Sequence, residues 1–335
     1  MPHVTVVMAV YNAEQFVREA IASVLEQTYR DFELIVVDDL SSDASLSILQ
    51  SFDDPRIRVI RHQVNVGAAA SRNDGLSAAC GELIAIMDAD DVCLPNRLER
   101  QVAFLDAHPE VGLVGCGVYD NIDSGGEVLC TSFLPQDNEA IQQTLTKKWC
   151  FLHPSIMFRK AIQKSVGGYR TVFEPAEDHD FILRMLEQSK GHNLYERLVS
   201  YRLNPKGLSV IAHQYLDELG AMAMRLARRR RSGHAENLDL EMPRLQELKR
   251  WRENATGIAG AVQLWRDSFY AAERYYGFGC QALCAGELGR SRRCFAESLR
   301  TNPMFVKSWI GFALSLMPFA ADHLRFVFQR SNSLV

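Results

Sequence analysis

Leu83-Ile84-Ala85-Ile86-Met87-Asp88-Ala89-Asp90-Asp91 is the stretch on which the reading of the whole chain turns. Its first five residues are an unbroken apolar run, the mark of a strand buried on both faces. Carboxylates at i and i+2 leave a strand on the same face, and at its terminus they converge on whatever lies beyond the sheet edge. Hard divalent cations, Mg2+ or Mn2+, want that arrangement: few protein oxygens, with room for water and phosphate. Taken alone, the same triplet also fits an acidic surface loop.

The flanking sequence argues for a site. Val4 to Val10 is apolar and rich in β-branched residues, a second buried strand. Asn12 is placed to cap the next helix, with Gln15 completing a capping box. Val17, Ala20, Ile21, Val24 and Leu25 then recur at helical spacing. Further strands are expected at Phe32 to Val37, ending in Asp38-Asp39, and at Arg56 to Arg61, with a helix over Ala68 to Ala79. Alternating strands and helices predict a parallel sheet covered on both faces, and such sheets bind ligands at the carboxyl ends of their strands. Those ends carry Tyr11-Asn12, Asp38-Asp39 and Asp88 to Asp91.

Beyond Pro95 a helix is expected to about Ala107, then a strand over Val111 to Val118. A turn at Ser124-Gly125-Gly126 closes a hairpin with Glu127 to Ser132. Ile156 to Phe158 reads as a strand, Gly167 to Arg170 as a turn, and Asp178 or Asp180 as the start of a helix. From about Leu216 only helices are expected, with breaks near Ser232-Gly233, Gly277-Phe278-Gly279 and Asn302-Pro303. Tyr276 to Pro303 reads as two short helices joined at Gly286 to Gly289, similar to one tetratricopeptide unit that must pack on other helices.

The 335 residues are 47% hydrophobic and 23% charged, an ordinary globular composition. A net charge of −4 offers no general attraction for nucleic acid. Met1-Pro2-His3 leads directly into a strand, so no signal peptide is expected, and Ile310 to Ala321 is too short to span a bilayer. The cysteines include no Cys-x-x-Cys pair. They read as buried or incidental thiols of a reducing compartment rather than a zinc site.

Over roughly residues 3 to 212 the chain resembles the family 2 glycosyltransferases of the GT-A fold, an α/β mixed sheet flanked by helices. The resemblance rests on an ordered set of segments: Val6 to Asn12, Val36 to Asp43, Asn65 to Gly75, the acidic tetrad at 88–91, His153-Pro154-Ser155, Gly167 to Arg170, Ala176 to Asp180 and Tyr201-Arg202. Ala9 stands where proline is usual, and Leu40 where glycine is usual. The leucine suggests that its turn does not need φ > 0. Gln246 to Trp251 is one residue too long for the Gln-x-x-Arg-Trp of processive members, so transfer of a single sugar is expected.

The resemblance implies that an acceptor hydroxyl displaces a nucleoside diphosphate from the anomeric carbon of a nucleotide sugar. It further implies a nucleotide-sugar-binding half at 1–105, an acceptor-binding half at 106–212 and a helical C-terminal region at 213–335. Asp90 would ligate Mn2+ or Mg2+, and Asp88 would lie near the ribose or the water shell of the metal. Asp91 would either ligate or cap the loop before Pro95. Asp39 would read a uracil, and Tyr11 would lie against the base or simply pack. Asn65 and Gly67 would shape a turn, and Arg72 would reach a phosphate or pair with a site carboxylate. His153 would touch the diphosphate or the metal, or serve the fold. Asp178 would be the general base, with Glu177 orienting it or the acceptor and Asp180 capping the following helix. One base without a carboxylate nucleophile favours inversion.

The acceptor would be a glycan or a lipid-linked sugar in polysaccharide assembly. Arg225 and Arg228 to Arg231 form a basic cluster, either a solvated helix end or a peripheral contact with anionic lipid at the inner face of a membrane. Phe319, Leu324, Phe326, Val327 and Phe328 would add an amphipathic surface or pack in a core. Other readings are a nucleotidyltransferase, which lacks its basic phosphate loop here, and a non-catalytic nucleotide-sugar-binding subunit of a cytoplasmic glycan-assembly complex.

Overall fold

The computed structural model describes residues 2–204, 207, 213–243, 246 and 257–316. β1 (Val4–Val10) lies between β2 (Phe32–Asp38) and β4 (Leu83–Asp88) and runs parallel to both. β3 (Ile57–Arg61) is parallel on the far side of β2. The apolar runs are unbroken because both faces are buried. Val7, Ile35, Val37, Ile84 and Ile86 join one core, and Val6, Met8, Leu34, Val36, Ala85 and Met87 join the other. α3 (Ala68–Ala78) covers the first face through Ala69 and Leu76. α1 (Val17–Leu25) covers the second through Val17, Ala20, Ile21 and Val24. The register pairs Val10 with Asp38, Asp38 with Arg61 and Ala9 with Asp88, so the carboxyl ends are level. The chain's winding reverses between β1 and β4, which is where α/β sheets open a binding crevice.

The next elements along the chain are α2 (Ser45–Gln50), β5 (Val92–Cys93), α4 (Arg97–Ala107), β6 (Val111–Ile122), β7 (Val128–Phe133), α5 (Asn138–Thr144), β8 (Met157–Arg159), α6 (Lys160–Val166), α7 (Glu177–Gln188) and β9 (Lys190–Arg202). The sheet order is β3-β2-β1-β4-β8-β6-β9-β5, with β7 on β6, and β8 is antiparallel to both β4 and β6. This is the mixed α/β sheet the sequence led us to expect.

The chain divides into two compact units. One comprises 1–119, 132–202 and 214–247, and the other 120–131, 203–213 and 248–335. Most of the expected donor and acceptor halves thus fall in the first unit. The helix His213–Arg231 joins it through Leu219, Met222, Ala223, Leu226 and Ala227, an apolar stripe at helical spacing. In the second unit Leu129, Leu203, Ala271, Tyr275 and Cys294 form a small core with helices Gly257–Cys284 and Leu288–Thr301. Among the described residues no helix is long and apolar enough to cross a membrane.

Four local expectations are corrected. Asn12 does not cap α1, which begins at Val17. It sits at φ +49, and its side chain instead accepts the Ser42 N–H at 2.8 Å. Leu40 does need positive φ, at +61, because the chain turns sharply after β2 where the Asp38 carboxylate takes the Ser41 N–H. Gly277-Phe278-Gly279 does not break its helix. A Cβ on Gly279 would lie 2.6 Å from the Phe295 ring, so that glycine admits a close approach. Asp180 lies inside α7, which starts at Glu177, and is buried against Arg170 and Arg184. Of Gln246 to Trp251 only Gln246 is described, and Phe319 to Phe328 lie outside the described residues.

Candidate active site

The level strand ends bring the first polar groups together. Asp39 is buried, and its carboxylate accepts the N–H groups of Val66 at 2.9 Å and Gly67 at 2.8 Å, with His62 Nδ1 also 2.8 Å away. Asn65 donates to the Asp39 carbonyl at 3.2 Å. Asp39 therefore shapes the loop that enters α3, with two bonds on Oδ1 and one on Oδ2, which leaves carboxylate acceptor capacity for a further N–H donor. Tyr11 stands beside it, 55% exposed and available for stacking. Gly67, at φ +92, precedes α3.

Side-chain parity places Asp88 on the face of Ile84 and Ile86, the face α3 covers. There Arg72 of α3 donates to Asp88 at 3.0 Å and also pairs with Glu177 at the start of α7. Of its two expected partners, Arg72 thus takes the carboxylates. Burial alone would raise the Asp88 carboxyl, but the guanidinium beside it holds it below its ordinary value. Asp90 is half-buried at the turn. Asp91 is 1% exposed, and one of its oxygens accepts the Arg202 N–H at 2.7 Å while the other is buried without a hydrogen bond. Burial, then the charges of Asp90 and Asp88, push Asp91 well above its ordinary range. Arg202 also donates through Nε to the Asp90 carbonyl at 2.8 Å, pairs with Glu19 and lies over the Phe16 ring. The sequence reading gave Arg202 no role, yet it clamps the acidic turn.

The second acidic pair, Glu177 and Asp178, occupies the first turn of α7. Glu177 is buried, with one oxygen on Arg72 and the other without a hydrogen bond. Asp178 is half-buried. Burial of its surroundings and then the neighbouring Glu177 push it up to about 8, against the pull of Arg72. His153 is buried and meets the Tyr169 hydroxyl at 3.0 Å, and burial pushes it down to about 3. It is neutral at physiological pH, and its contact is with Tyr169, whose ring faces the Arg72 guanidinium at 5.9 Å.

The donor set suits a hard cation. Asp88 and Asp90 offer carboxylate oxygens at one turn, and the orphaned Asp91 oxygen and the mutual repulsion of the three acids mark a place where positive charge is wanted. Among the described residues no group of three or more His, Cys, Asp or Glu side chains could hold an ion by itself. Phosphate and water would have to complete the shell, as they commonly do for Mg2+.

The basic cluster is partly spent inside the protein. Arg230 pairs with Glu187 and Glu236, and Arg225 with Glu241. Arg228, Arg229 and Arg231 are exposed, and Arg228 donates to the Thr146 carbonyl at 3.0 Å, next to exposed Lys147 and Lys148.

A mixed sheet of this order, with an acidic turn at the end of β4 and a second acidic pair tied to it through Arg72, has the architecture of the GT-A fold. Residues 5–166 match the profile of Glycosyl transferase family 2. The putative glycosyltransferase EpsE of Bacillus subtilis is 38% identical over 209 residues, 60% of this chain and 73% of the relative. The O-antigen biosynthesis glycosyltransferase WbnJ of Escherichia coli is 32% identical over 64% of this chain and 85% of its own. Residues 1–349 of TarS from S. aureus, solved with UDP-GlcNAc, superpose with a TM-score of 0.54 at 17% identity, over 93% of this chain and 90% of that one. The mannosyltransferase PcManGT of Pyrobaculum calidifontis, solved with GDP-Man and Mn2+, gives 0.52 at 20% identity over 97% and 87%. The chain belongs to the family 2 glycosyltransferases.

Proposed function

We propose that this glycosyltransferase moves one sugar from a nucleoside-diphosphate sugar, most simply a UDP-sugar, to a hydroxyl of a glycan or lipid-linked acceptor, with inversion at the anomeric carbon. The observation that carries the reading is Arg72, which ties Asp88 of the acidic turn to Glu177 of the second acidic pair. That bridge holds the first turn of α7, which carries Asp178 beside Glu177, to the end of β4. The binding of UDP-GlcNAc by TarS and of GDP-Man with Mn2+ by PcManGT supports a diphosphate donor here. The name of a further relative, a UDP-Glc:alpha-D-GlcNAc-diphosphoundecaprenol beta-1,3-glucosyltransferase of Escherichia coli, supports a lipid-linked acceptor.

In this reading Asp90, with Asp88 behind it, would hold Mn2+ or Mg2+, which when bound supplies charge neutralisation for the departing diphosphate. Tyr11 lies against the base, and the Asp39 loop with Asn65 and Gly67 receives its edge. His153, neutral, holds Tyr169 against Arg72. Asp178 takes the proton of the acceptor hydroxyl as that oxygen attacks, and a raised carboxyl is a better proton acceptor than an ordinary one. Glu177, bound to Arg72, keeps the Asp178 turn in place. Arg228, Arg229, Arg231, Lys147 and Lys148 make an exposed basic corner suited to an anionic membrane surface, and we place the enzyme in the cytoplasm beside the inner membrane face.

A panel of UDP-, GDP- and CDP-sugars, assayed for donor hydrolysis with Mn2+ and with EDTA, tests the donor and the ion together. Proton NMR of the first product tests inversion. Turnover of UDP-sugars that vanishes in EDTA is expected. Preference for a GDP-sugar would overturn the base assignment, and retention would overturn the single-displacement reading.

A further inference from the structure

The segment that carries Asp178 is fastened to α3 at three places. Asn73 of α3 brackets the Tyr169 backbone, accepting its N–H at 2.7 Å and donating to its carbonyl at 2.8 Å. Arg72 pairs with Glu177. Between these lies Glu174, whose two oxygens accept the first N–H groups of α3, from Ala68 at 3.1 Å and Ala69 at 3.2 Å. Those amides have no partner within their own helix and stand at the positive end of its dipole, so a carboxylate is well matched to them. It arrives from 105 residues away in the chain.

The approach is built into the backbone. A Cβ on Gly67 would lie 2.6 Å from one Glu174 oxygen and 2.7 Å from the other, so a side chain there would displace the carboxylate. On the far side, the Glu174 N–H bonds the Thr171 carbonyl, and the Asp180 N–H bonds the Ala176 carbonyl. The Ala176 N–H bonds the Phe173 carbonyl across Glu174 and Pro175, so consecutive hydrogen-bonded turns carry the chain through Glu174 into α7, and only Pro175, Ala176 and Glu177 stand between Glu174 and Asp178.

We infer that Glu174 is a positioning residue for sugar transfer: by holding the start of α3 it sets where Asp178 stands over the acidic turn. This rests on Asp178 being the base. A base must lie within hydrogen-bond reach of the hydroxyl it serves, and a displacement of about 1 Å can cost on the order of 100-fold in rate.

The test is a double-mutant cycle with Glu174→Ala, Asp178→Asn and the two combined. It is read as kcat for transfer and KM for donor, beside UDP affinity and Tm. Glu174→Ala should lower kcat by about 10- to 100-fold and leave UDP affinity within about 2-fold. Glu174→Gln, which keeps one acceptor oxygen, should recover part of the loss. On the Asp178→Asn background Glu174→Ala should cost less than about 3-fold, because the two act through one step. Equal loss on both backgrounds, or loss that follows Tm or UDP affinity without rescue by glutamine, would show that Glu174 serves only the fold and would overturn the inference. Near-normal transfer by Asp178→Asn alone would remove the base assignment and this inference with it.

Discussion

Asp178 is the residue on which pH should act most clearly. Burial and Glu177 push its carboxyl up to about 8, whereas an unfolded aspartate titrates near about 3.9. A general base works only when unprotonated, so transfer should rise with pH through about 8 and level off above it. Stability should move the opposite way. Between about pH 4 and about pH 8 the folded protein keeps a proton that the unfolded chain has lost, so stability falls as pH rises across that window. Thermal melts without donor at about pH 5 and about pH 8 should show a larger loss for the wild type than for Asp178→Asn, which cannot ionise there. Equal losses would mean that Asp178 is not the raised group. His153, pushed down to about 3 by burial, stays neutral throughout and contributes no limb to the profile.

At the scale of elements, β9 and the acidic turn form one unit through Arg202. Its guanidinium holds the Asp90 carbonyl at 2.8 Å and its backbone N–H holds Asp91. Arg202→Lys keeps the charge but loses the planar fork, so the turn should loosen. UDP affinity measured by calorimetry should fall in Mn2+ and change little in EDTA; an equal fall in both would contradict a role through the ion-binding turn. In the second unit, Phe295 is 0% exposed, and a Cβ on Gly311 would lie 2.5 Å from its ring. Gly311→Ala should therefore destabilise by about 1–3 kcal/mol despite the better helix propensity of alanine. A higher denaturation midpoint would show that the ring can move aside.

These elements also mark what the sequence could reveal. The strands at Val4 to Val10 and Leu83 to Asp88 were legible because burial on both faces leaves an unbroken apolar run. The acidic turn was legible because its carboxylates are neighbours in the chain. Arg202 and Glu174 were not, since their partners lie 112 and 106 residues away and no local pattern marks such pairs. The helix through Gly277 and Gly279 was misread because those glycines serve packing or permit helix rather than end it.

For the whole molecule, the exposed basic corner is the feature on which the proposed membrane contact rests. Arg230 and Arg225 face glutamates, while Arg228, Arg229 and Arg231 remain exposed, Arg228 lying beside Lys147 through its bond to the Thr146 carbonyl. Each cation near an anionic surface contributes about 1 kcal/mol, and the attraction is screened by salt. Arg228→Glu with Arg229→Glu should release the protein from vesicles containing anionic lipid and leave donor hydrolysis intact. Unchanged vesicle binding would leave the corner as a solvated helix end. Trp149, next to Lys148, packs on His179 with ring centroids 4.1 Å apart, and His179 follows Asp178, so this corner adjoins the Glu177-Asp178 turn.

The division of labour between the two acidic clusters is tested most directly by measuring kcat for transfer and the dissociation constant for UDP in Mn2+ on the same preparations of wild type, Asp90→Ala and Asp178→Asn. Asp90→Ala should lose both. Asp178→Asn should keep UDP affinity and lose about 10²- to 10⁴-fold in kcat, the usual contribution of a general base. Transfer at a near-normal rate by Asp178→Asn, or loss of its UDP binding, would contradict the account.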